Sequence, residues 1–503
     1  MRKTASGYRL IFGYLGLFVV FVGIATLLPL LTYIAFPKEA GDWYCFVIPG
    51  CGAILLGSFM FGLLIAGKHK AQLGKHQDFI LLVLVWLSAI FISAVPFLIK
   101  GNLGFTNAIF ETTSAYATIG LTVFDANDLE LHAFVLYRSF LCFLGGIGLV
   151  LIVTSALSDR YGLKLYVAEG HNDKLMPNLA RSARLILSIY VGITVLGVIL
   201  YRIAGMPTWF DAIVHSISGV ATGGFSSRTQ GIMAFSNLPT FWAIQVISIF
   251  LMLAGATNFL LTFFVLTGRF KRFFRDCEVR LLFFLFLVFI PIFTLSSFFG
   301  GKELDGSSLS FGKAFLTGSF TFVSAITTTG FSNIENLRIL GEGTIFLVTI
   351  INVIGGGIGS TAGGVKQYRL AVALKSFHWS TKEAMASDNT IFPHYIWRFG
   401  EEKEIDQKEI SAAFSYILLY VLIMITGGFL VTLFDKEIGY GTSLFEFSNA
   451  ISSTGLSFGI YKNRPVGVKW TLIAGMFAGR LEIFPIVYSF YRVVRDIFRK
   501  ETY

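Results

Sequence analysis

Four short stretches carry the residues of this chain best suited to hold an ion: TIGLT at 118–122, TGGFS at 222–226, TTGFS at 328–332 and STGLS at 453–457. All obey one rule, [TS]-x-G-[LF]-[TS]. A dehydrated alkali cation needs a cage of oxygens in place of its hydration shell, and rings of backbone carbonyls are the usual material. Glycine lets a backbone turn its carbonyls inward with no Cβ in the way. On this reading Gly120, Gly224, Gly330 and Gly455 are equivalent turning points. The preceding residues, Thr118 and Ile119, Thr222 and Gly223, Thr328 and Thr329, Ser453 and Thr454, stack further carbonyl layers, with hydroxyls as extra ligands.

The segments leading into the motifs are FTNAIFETTSAYATIG, WFDAIVHSISGVATGG, FLTGSFTFVSAITTTG and YGTSLFEFSNAISSTG. Each predicts about three turns of weakly apolar helix, too short to span a bilayer. Such a half-helix dips in and returns, and lipid does not tolerate the carbonyls left open where it turns, so these loops must face water or an ion. Each would also aim the negative end of its dipole at that point, favouring a cation. One copy alone reads as ordinary small-residue helix packing. Four copies in equivalent places argue for a common axis.

The elements that must position them are transmembrane. The 503 residues are 54% hydrophobic and 14% charged, with a mean hydropathy of +0.71. Apolar runs predict about ten spans, at roughly 10–36, 44–67, 79–99, 132–157, 182–204, 236–267, 279–299, 343–374, 409–434 and 468–496, and hence an all-α integral membrane protein. The first run is too long for a secretory signal and reads as a retained helix. After two N-terminal spans, the other eight fall into four pairs, each enclosing one half-helix and motif. The resulting divisions are a two-helix extension over 1–76 and pore repeats over 77–165, 166–275, 276–400 and 401–503, the third with a broken second helix.

A net charge of +10 suggests nucleic acid at first sight, but the cations cluster at every second junction, the pattern of cytoplasmic loops. That places both termini in the cytoplasm and the four motifs toward the outside. Cys45, Cys51, Cys142 and Cys277 show no paired spacing and read as packing residues rather than a disulfide or zinc framework. GSTAGGVK at 359–366 imitates a phosphate loop, but Val365 stands where the lysine is needed. GLSFG at 455–459 matches G-x-S-x-G without a strand-to-helix context. No enzyme chemistry and no metal site beyond an alkali cation is indicated.

Taken together, the four motifs, INVIGGGIGSTAGGVKQYRLAV at 351–372 and AGRLEIF at 478–484 resemble the Trk/Ktr/HKT superfamily of potassium transporters over nearly the whole chain. The two additional N-terminal spans are similar to the Trk-type branch. The resemblance implies gated, channel-like potassium uptake across a bacterial cytoplasmic membrane through a four-repeat selectivity filter. It also implies a homodimer and a cytoplasmic, TrkA-like RCK-domain regulatory subunit. Any nucleotide, ATP/ADP or NAD/NADH, is then expected on that partner, with no cofactor in this chain and potassium as the substrate. Gly223 and Ile119, where the third motif has Thr329, depart from a uniform filter.

By the same resemblance, Gly355, Gly356, Gly357, Gly359, Ser360, Thr361, Gly363 and Gly364 form an intramembrane gate below the filter, and Arg480 projects into the pore as a positive barrier. From the residues alone, the glycines read equally as GxxxG helix packing, and Arg480 as a salt-bridge partner of Glu482 or another acid. Glu111, His215, Thr321 and Glu446 hold equivalent places on the half-helices, where they either brace the filter or face external water. A sodium- or proton-coupled symporter is the competing function and would need a second site with an intramembrane carboxylate. A membrane-embedded enzyme lacks an acid or histidine cluster at depth, and a purely structural subunit would not need four motifs.

Overall fold

The computed structural model describes residues 7–65, 77–148, 179–302, 307–387 and 392–498. Among the described residues, six helices are long and apolar enough to cross a bilayer: Tyr8–Ala35, Tyr44–Leu64, Gln77–Lys100, Arg181–Ile203, Cys277–Gly300 and Gln407–Phe434. Two further crossings are bent pairs, Phe241–Ala256 with Phe259–Leu266 at 115° and Val466–Arg480 with Phe484–Phe498 at 99°. His132–Ile147 and Glu342–Ile354 take the corresponding places in the first and third repeats. The part of the expected 132–157 span beyond residue 148 lies outside the described residues.

The four half-helices are Phe105–Tyr116, Trp209–Val220, Phe311–Ile326 and Tyr440–Ser452. At 1.5 Å per residue they reach only about 18 to 24 Å, short of the roughly 30 Å hydrocarbon core. They are also the most enclosed elements: Glu111, Thr112, Thr113 and Ser114 are all buried, as are Ser443, Glu446 and Ser448. The crossing helices surround them and turn Leu287, Phe299 and Leu418 outward, each more than 60% exposed. This explains the weak hydrophobicity of the half-helices. Protein rather than lipid covers them, and Glu111, Thr112, Thr113, Glu446 and Ser448 find hydrogen-bond partners there.

The helix following each filter approaches its half-helix closely. A Cβ on Gly145, Gly255 or Gly479 would collide with the carbonyl oxygen of Tyr116, Val220 or Ile451 respectively, the residue two before each filter. These glycines are the same packing device in three repeats, small residues that let backbones touch.

The continuity of two spans is corrected. The sixth and tenth spans read as continuous in sequence, yet both break. Asn258 ends the first segment of the sixth and caps the second, its side chain accepting from Leu260 N at 2.7 Å. In the tenth, Glu482 (φ 57°) and Ile483 (φ 51°) take left-handed conformations, and Pro485 sits in the first turn of the helix that follows. The all-α membrane architecture holds, and it carries one small hairpin that the sequence reading did not include. Strands β1 (Tyr395–Arg398) and β2 (Glu401–Glu404) pair antiparallel, Tyr395 opposite Glu404 and Arg398 opposite Glu401. Phe399 and Gly400, both at positive φ, form the two-residue turn such a hairpin favours.

Gly255→Ala should destabilise the protein by about 1–3 kcal/mol through overpacking. Gly192, on a crossing helix with open space around it, should gain about 0.5–1 kcal/mol when changed to alanine. Thermal melting in detergent checks both, and equal melting shifts would contradict the close-approach account.

Candidate functional site

Each filter segment begins as the termination of a half-helix. The middle residue donates its N–H five residues back: Ile119 to Ser114 (2.9 Å), Gly223 to Ser218 (2.8 Å), Thr329 to Ser324 (2.9 Å) and Thr454 to Asn449 (3.0 Å). In three repeats the first residue donates three back: Thr118 to Ala115 (3.0 Å), Thr222 to Gly219 (3.2 Å) and Thr328 to Ala325 (3.0 Å). That pair of bonds is a Schellman ending, whose left-handed residue is usually glycine. Here it is Thr118 (φ 54°), Thr222 (φ 52°), Thr328 (φ 53°) and Ser453 (φ 61°). A side chain held there costs about 1–3 kcal/mol and marks a functional constraint.

The third position is left-handed again, with φ of 83°, 64°, 87° and 80° at Gly120, Gly224, Gly330 and Gly455, whereas the middle residues are not. Left-handed residues on both sides of an ordinary one depart from the regular alternation of a β-strand. The four segments also meet in order. A Cβ on Gly120 would strike the carbonyl of Gly223, on Gly224 that of Thr329, on Gly330 that of Thr454, and on Gly455 that of Ile119. First touches second, second third, third fourth, and fourth first. The sequence-predicted filter residues thus close into one ring.

The side chains at the middle position differ among the repeats. Thr329 Oγ1 bonds Thr327 Oγ1 at 2.9 Å and Thr454 Oγ1 bonds Ser452 Oγ at 2.7 Å, so each has a neighbouring hydroxyl as partner. Ile119 is fully buried, and a Cβ on Gly223 would collide with Cys142 Sγ. The non-uniform residues Ile119 and Gly223 therefore answer to packing behind the ring, and all four segments present the same backbone.

Three of the four half-helix positions are braces. Glu111 accepts from Val123 N (2.9 Å) and from the Thr122 hydroxyl (2.8 Å). Glu446 accepts from Phe458 N and the Ser457 hydroxyl, both at 2.7 Å. His215 Nε2 lies 3.0 Å from Ser226 Oγ. Thr321, by contrast, is buried and its hydroxyl makes no hydrogen bond among the described residues. Sequence reading missed Arg138, whose guanidinium donates to Glu111 (3.0 Å), Thr122 (2.8 Å) and the Ser226 carbonyl (2.6 Å), tying the first filter to the second. It also missed Asp211, which accepts from Ser227 (2.5 Å) and twice from Arg228 (3.0 and 2.7 Å). Their common signal was a charge inside an otherwise apolar repeat.

Residues 355–364 leave the helix, with Gly355, Gly359 and Gly364 left-handed, so continuous-helix GxxxG packing does not apply. The strand ends are stitched together: Val365 N to Val353 O (2.8 Å), Lys366 N to Ile354 O (3.0 Å) and Gln367 N to Gly356 O (2.8 Å). The loop then reaches the underside of the ring. Gly363 N donates to Thr328 Oγ1 (2.8 Å), and Thr361 Oγ1 lies 3.1 Å from Thr222 Oγ1. A Cβ on Gly363 would strike the Ser452 carbonyl. Gly356, Gly357 and Ser360 line the approach, Gly357 N bonding Ala256 O (3.0 Å) and the Ser360 hydroxyl bonding Gly357 O (2.7 Å).

Arg480 completes this layer. It donates to Thr361 O (3.0 Å) and Gly146 O (3.0 Å) and also contacts the Gly145 carbonyl, so loop and arginine together engage all four repeats. Glu482 pairs with Arg369 at 2.6 Å. Lys366, which is buried, is a further cation beside the loop, its ammonium on the Ala362 carbonyl.

The sequence profile of TrkH, a cation transport protein family, matches residues 52–496. Among similar proteins are an uncharacterised cation transporter of Methanocaldococcus jannaschii, 29% identical over 97% of this chain and 96% of its own, and the Trk system potassium uptake protein TrkH of Salmonella typhimurium, 29% identical over 96% and 98%. The Trk system potassium uptake protein TrkG of Escherichia coli is 30% identical over 84% and 86%. The crystal structure of the potassium transporter TrkH from Vibrio parahaemolyticus superposes with a TM-score of 0.81, covering 98% of this chain and all of that one at 24% identity.

Arg138→Met strands a fully buried carboxylate and should cost about 3–5 kcal/mol, while Glu111→Gln combined with Arg138→Met should recover much of that loss. Melting of the single and double variants decides. A double variant as unstable as the sum of its parts would contradict the pairing.

Proposed function

The chain belongs to the TrkH family of cation transport proteins, a family of transporters and not of enzymes, and on that premise we propose that it passes potassium into the cytoplasm through a gated, channel-like pore. The ring of Gly120, Gly224, Gly330 and Gly455 carries this reading. One backbone geometry repeated four times, each segment against the next, offers layered carbonyls to a cation entering between four half-helix C-termini. The names of the Trk system relatives supply potassium as the ion.

The loop 355–364 and Arg480 are the gate of this pore. An arginine at membrane depth is unfavourable by about 2.5–3.5 kcal/mol on insertion scales, and here backbone carbonyls from two repeats receive it. Its charge beneath the filter opposes an ion leaving the ring until loop and arginine move together. The setting is the cytoplasmic membrane with both termini inside, as a homodimer served by a TrkA-like RCK-domain subunit that carries the nucleotide. A coupled symporter gains no support from the membrane-depth acids, since Glu111 and Glu446 are engaged with filter backbone.

Rubidium-86 uptake into proteoliposomes holding only this protein, driven by an internal potassium load, tests the proposal. Wild type should take up tracer without a sodium or proton gradient, Gly330→Val should abolish uptake, and Arg480→Ala should raise it severalfold. Uptake that requires a sodium or proton gradient would contradict a passive pore, and unaltered uptake in Gly330→Val would remove the ring as its filter.

A further inference from the structure

The hairpin between the third and fourth repeats reaches the loop through buried charge. Asp276 caps helix Cys277–Gly300, one carboxylate oxygen accepting from Glu278 N (2.9 Å) and the other from Phe399 N in the hairpin turn (2.9 Å). Glu278, 2% exposed in the first turn of that helix, directs Oε1 at two groups. It accepts from the backbone N–H of Ile358 in the loop (3.0 Å) and faces Arg398 Nη1 at the end of β1 (3.5 Å). The other side of the same peptide segment is also held: the Ile358 carbonyl accepts from Asn258 Nδ2 at 2.5 Å, at the break in the sixth span. Ile358 is thereby gripped at both backbone polar atoms.

Arg398 has a second contact. Its guanidinium lies 4.1 Å from the ring centroid of Tyr368, one residue into the helix that leaves the loop. The Tyr368 hydroxyl donates to Glu409 (2.7 Å), which also pairs with Lys403 of β2 (2.8 Å). Outside, the hairpin rests on the segment before Cys277, with Trp397 under Arg275 (5.0 Å) and Gly400 against the Arg272 stem. A two-stranded hairpin on its own is marginally stable, so its place is set by these contacts.

We infer that Glu278 and Arg398 are positioning residues of the intramembrane loop and that the 395–404 hairpin is its cytoplasmic latch: Arg398 fixes the Glu278 carboxylate, which fixes Ile358. This rests on the reading of 355–364 as a gate. Moving the hairpin withdraws a cation that faces this buried carboxylate, which then takes up a proton or turns away. Either change weakens the bond to Ile358 N. Any cytoplasmic partner that binds the hairpin gains leverage over the loop without touching it.

The test compares Glu278→Ala, Glu278→Gln, Arg398→Met and Arg398→Lys in the full-length protein by rubidium uptake and by hydrogen exchange of residues 355–364. Glu278→Ala and Arg398→Met should raise uptake severalfold and speed exchange in the loop while the half-helices keep their protection; Arg398→Lys should stay near wild type. Combining Glu278→Ala with Arg398→Met should add nothing to the larger single effect, because both act on one path. Should Glu278→Ala fail to fold, Glu278→Gln carries the comparison, with a smaller rise expected. If Arg480→Ala raises uptake while the Glu278 and Arg398 variants match wild type in uptake and exchange, the latch is overturned and the gate stands. If Arg480→Ala itself has no effect on uptake, the gate reading has failed first.

Discussion

A backbone that leaves its helix at membrane depth must find partners in protein, because lipid offers none. This chain meets that constraint four times over. Three of the half-helices stop with a Schellman ending, all four place a left-handed threonine or serine at that point, and a left-handed glycine follows two residues on. The middle residue of each segment spends its N–H on the helix end behind. Everything else in the structure follows from keeping those four endings together: enclosed polar half-helices, glycines that let the next helix touch them, and buried carboxylates that hold the segment beyond the glycine in three of the four repeats.

The braces are unequal in a way that suits a fourfold ring made by one chain. Glu111 and Glu446 bind the backbone directly, His215 and Asp211 work through serines, and Arg138 links the first filter to the second. Between the fourth and first repeats, Tyr461 accepts from Thr122 N (3.3 Å) and Lys462 donates to Phe124 O (2.8 Å). An identical ring from four copies would repeat one solution. Here each repeat has reached its own, while the backbone at the axis stays the same.

Much of this was legible in the sequence because backbone requirements leave strong marks. A left-handed turn needs Gly120, Gly224, Gly330 and Gly455, and a broken span shows as the glycine run 355–364. The breaks at Asn258 and at Glu482–Ile483 left almost no mark, since one is made by a single capping side chain and the other by left-handed residues that are not glycine. The direction of a hydroxyl is harder still. Thr329 and Thr454 each pair with a hydroxyl two residues back, a partnership that the sequence pattern does not reveal. The hairpin escaped notice because WRFGEEKE has too few alternating apolar residues to read as strands, and Arg138 because its partners lie 27 and 88 residues away.

The central claim is that the ring is where the ion sits, and anomalous diffraction from crystals of this protein in rubidium or thallium examines it most directly. The account predicts a peak on the axis encircled by the carbonyls of Gly120, Gly224, Gly330, Gly455 and the residues before them, lost when potassium displaces the heavier ion. Well-ordered filter segments with no peak inside the ring would contradict it.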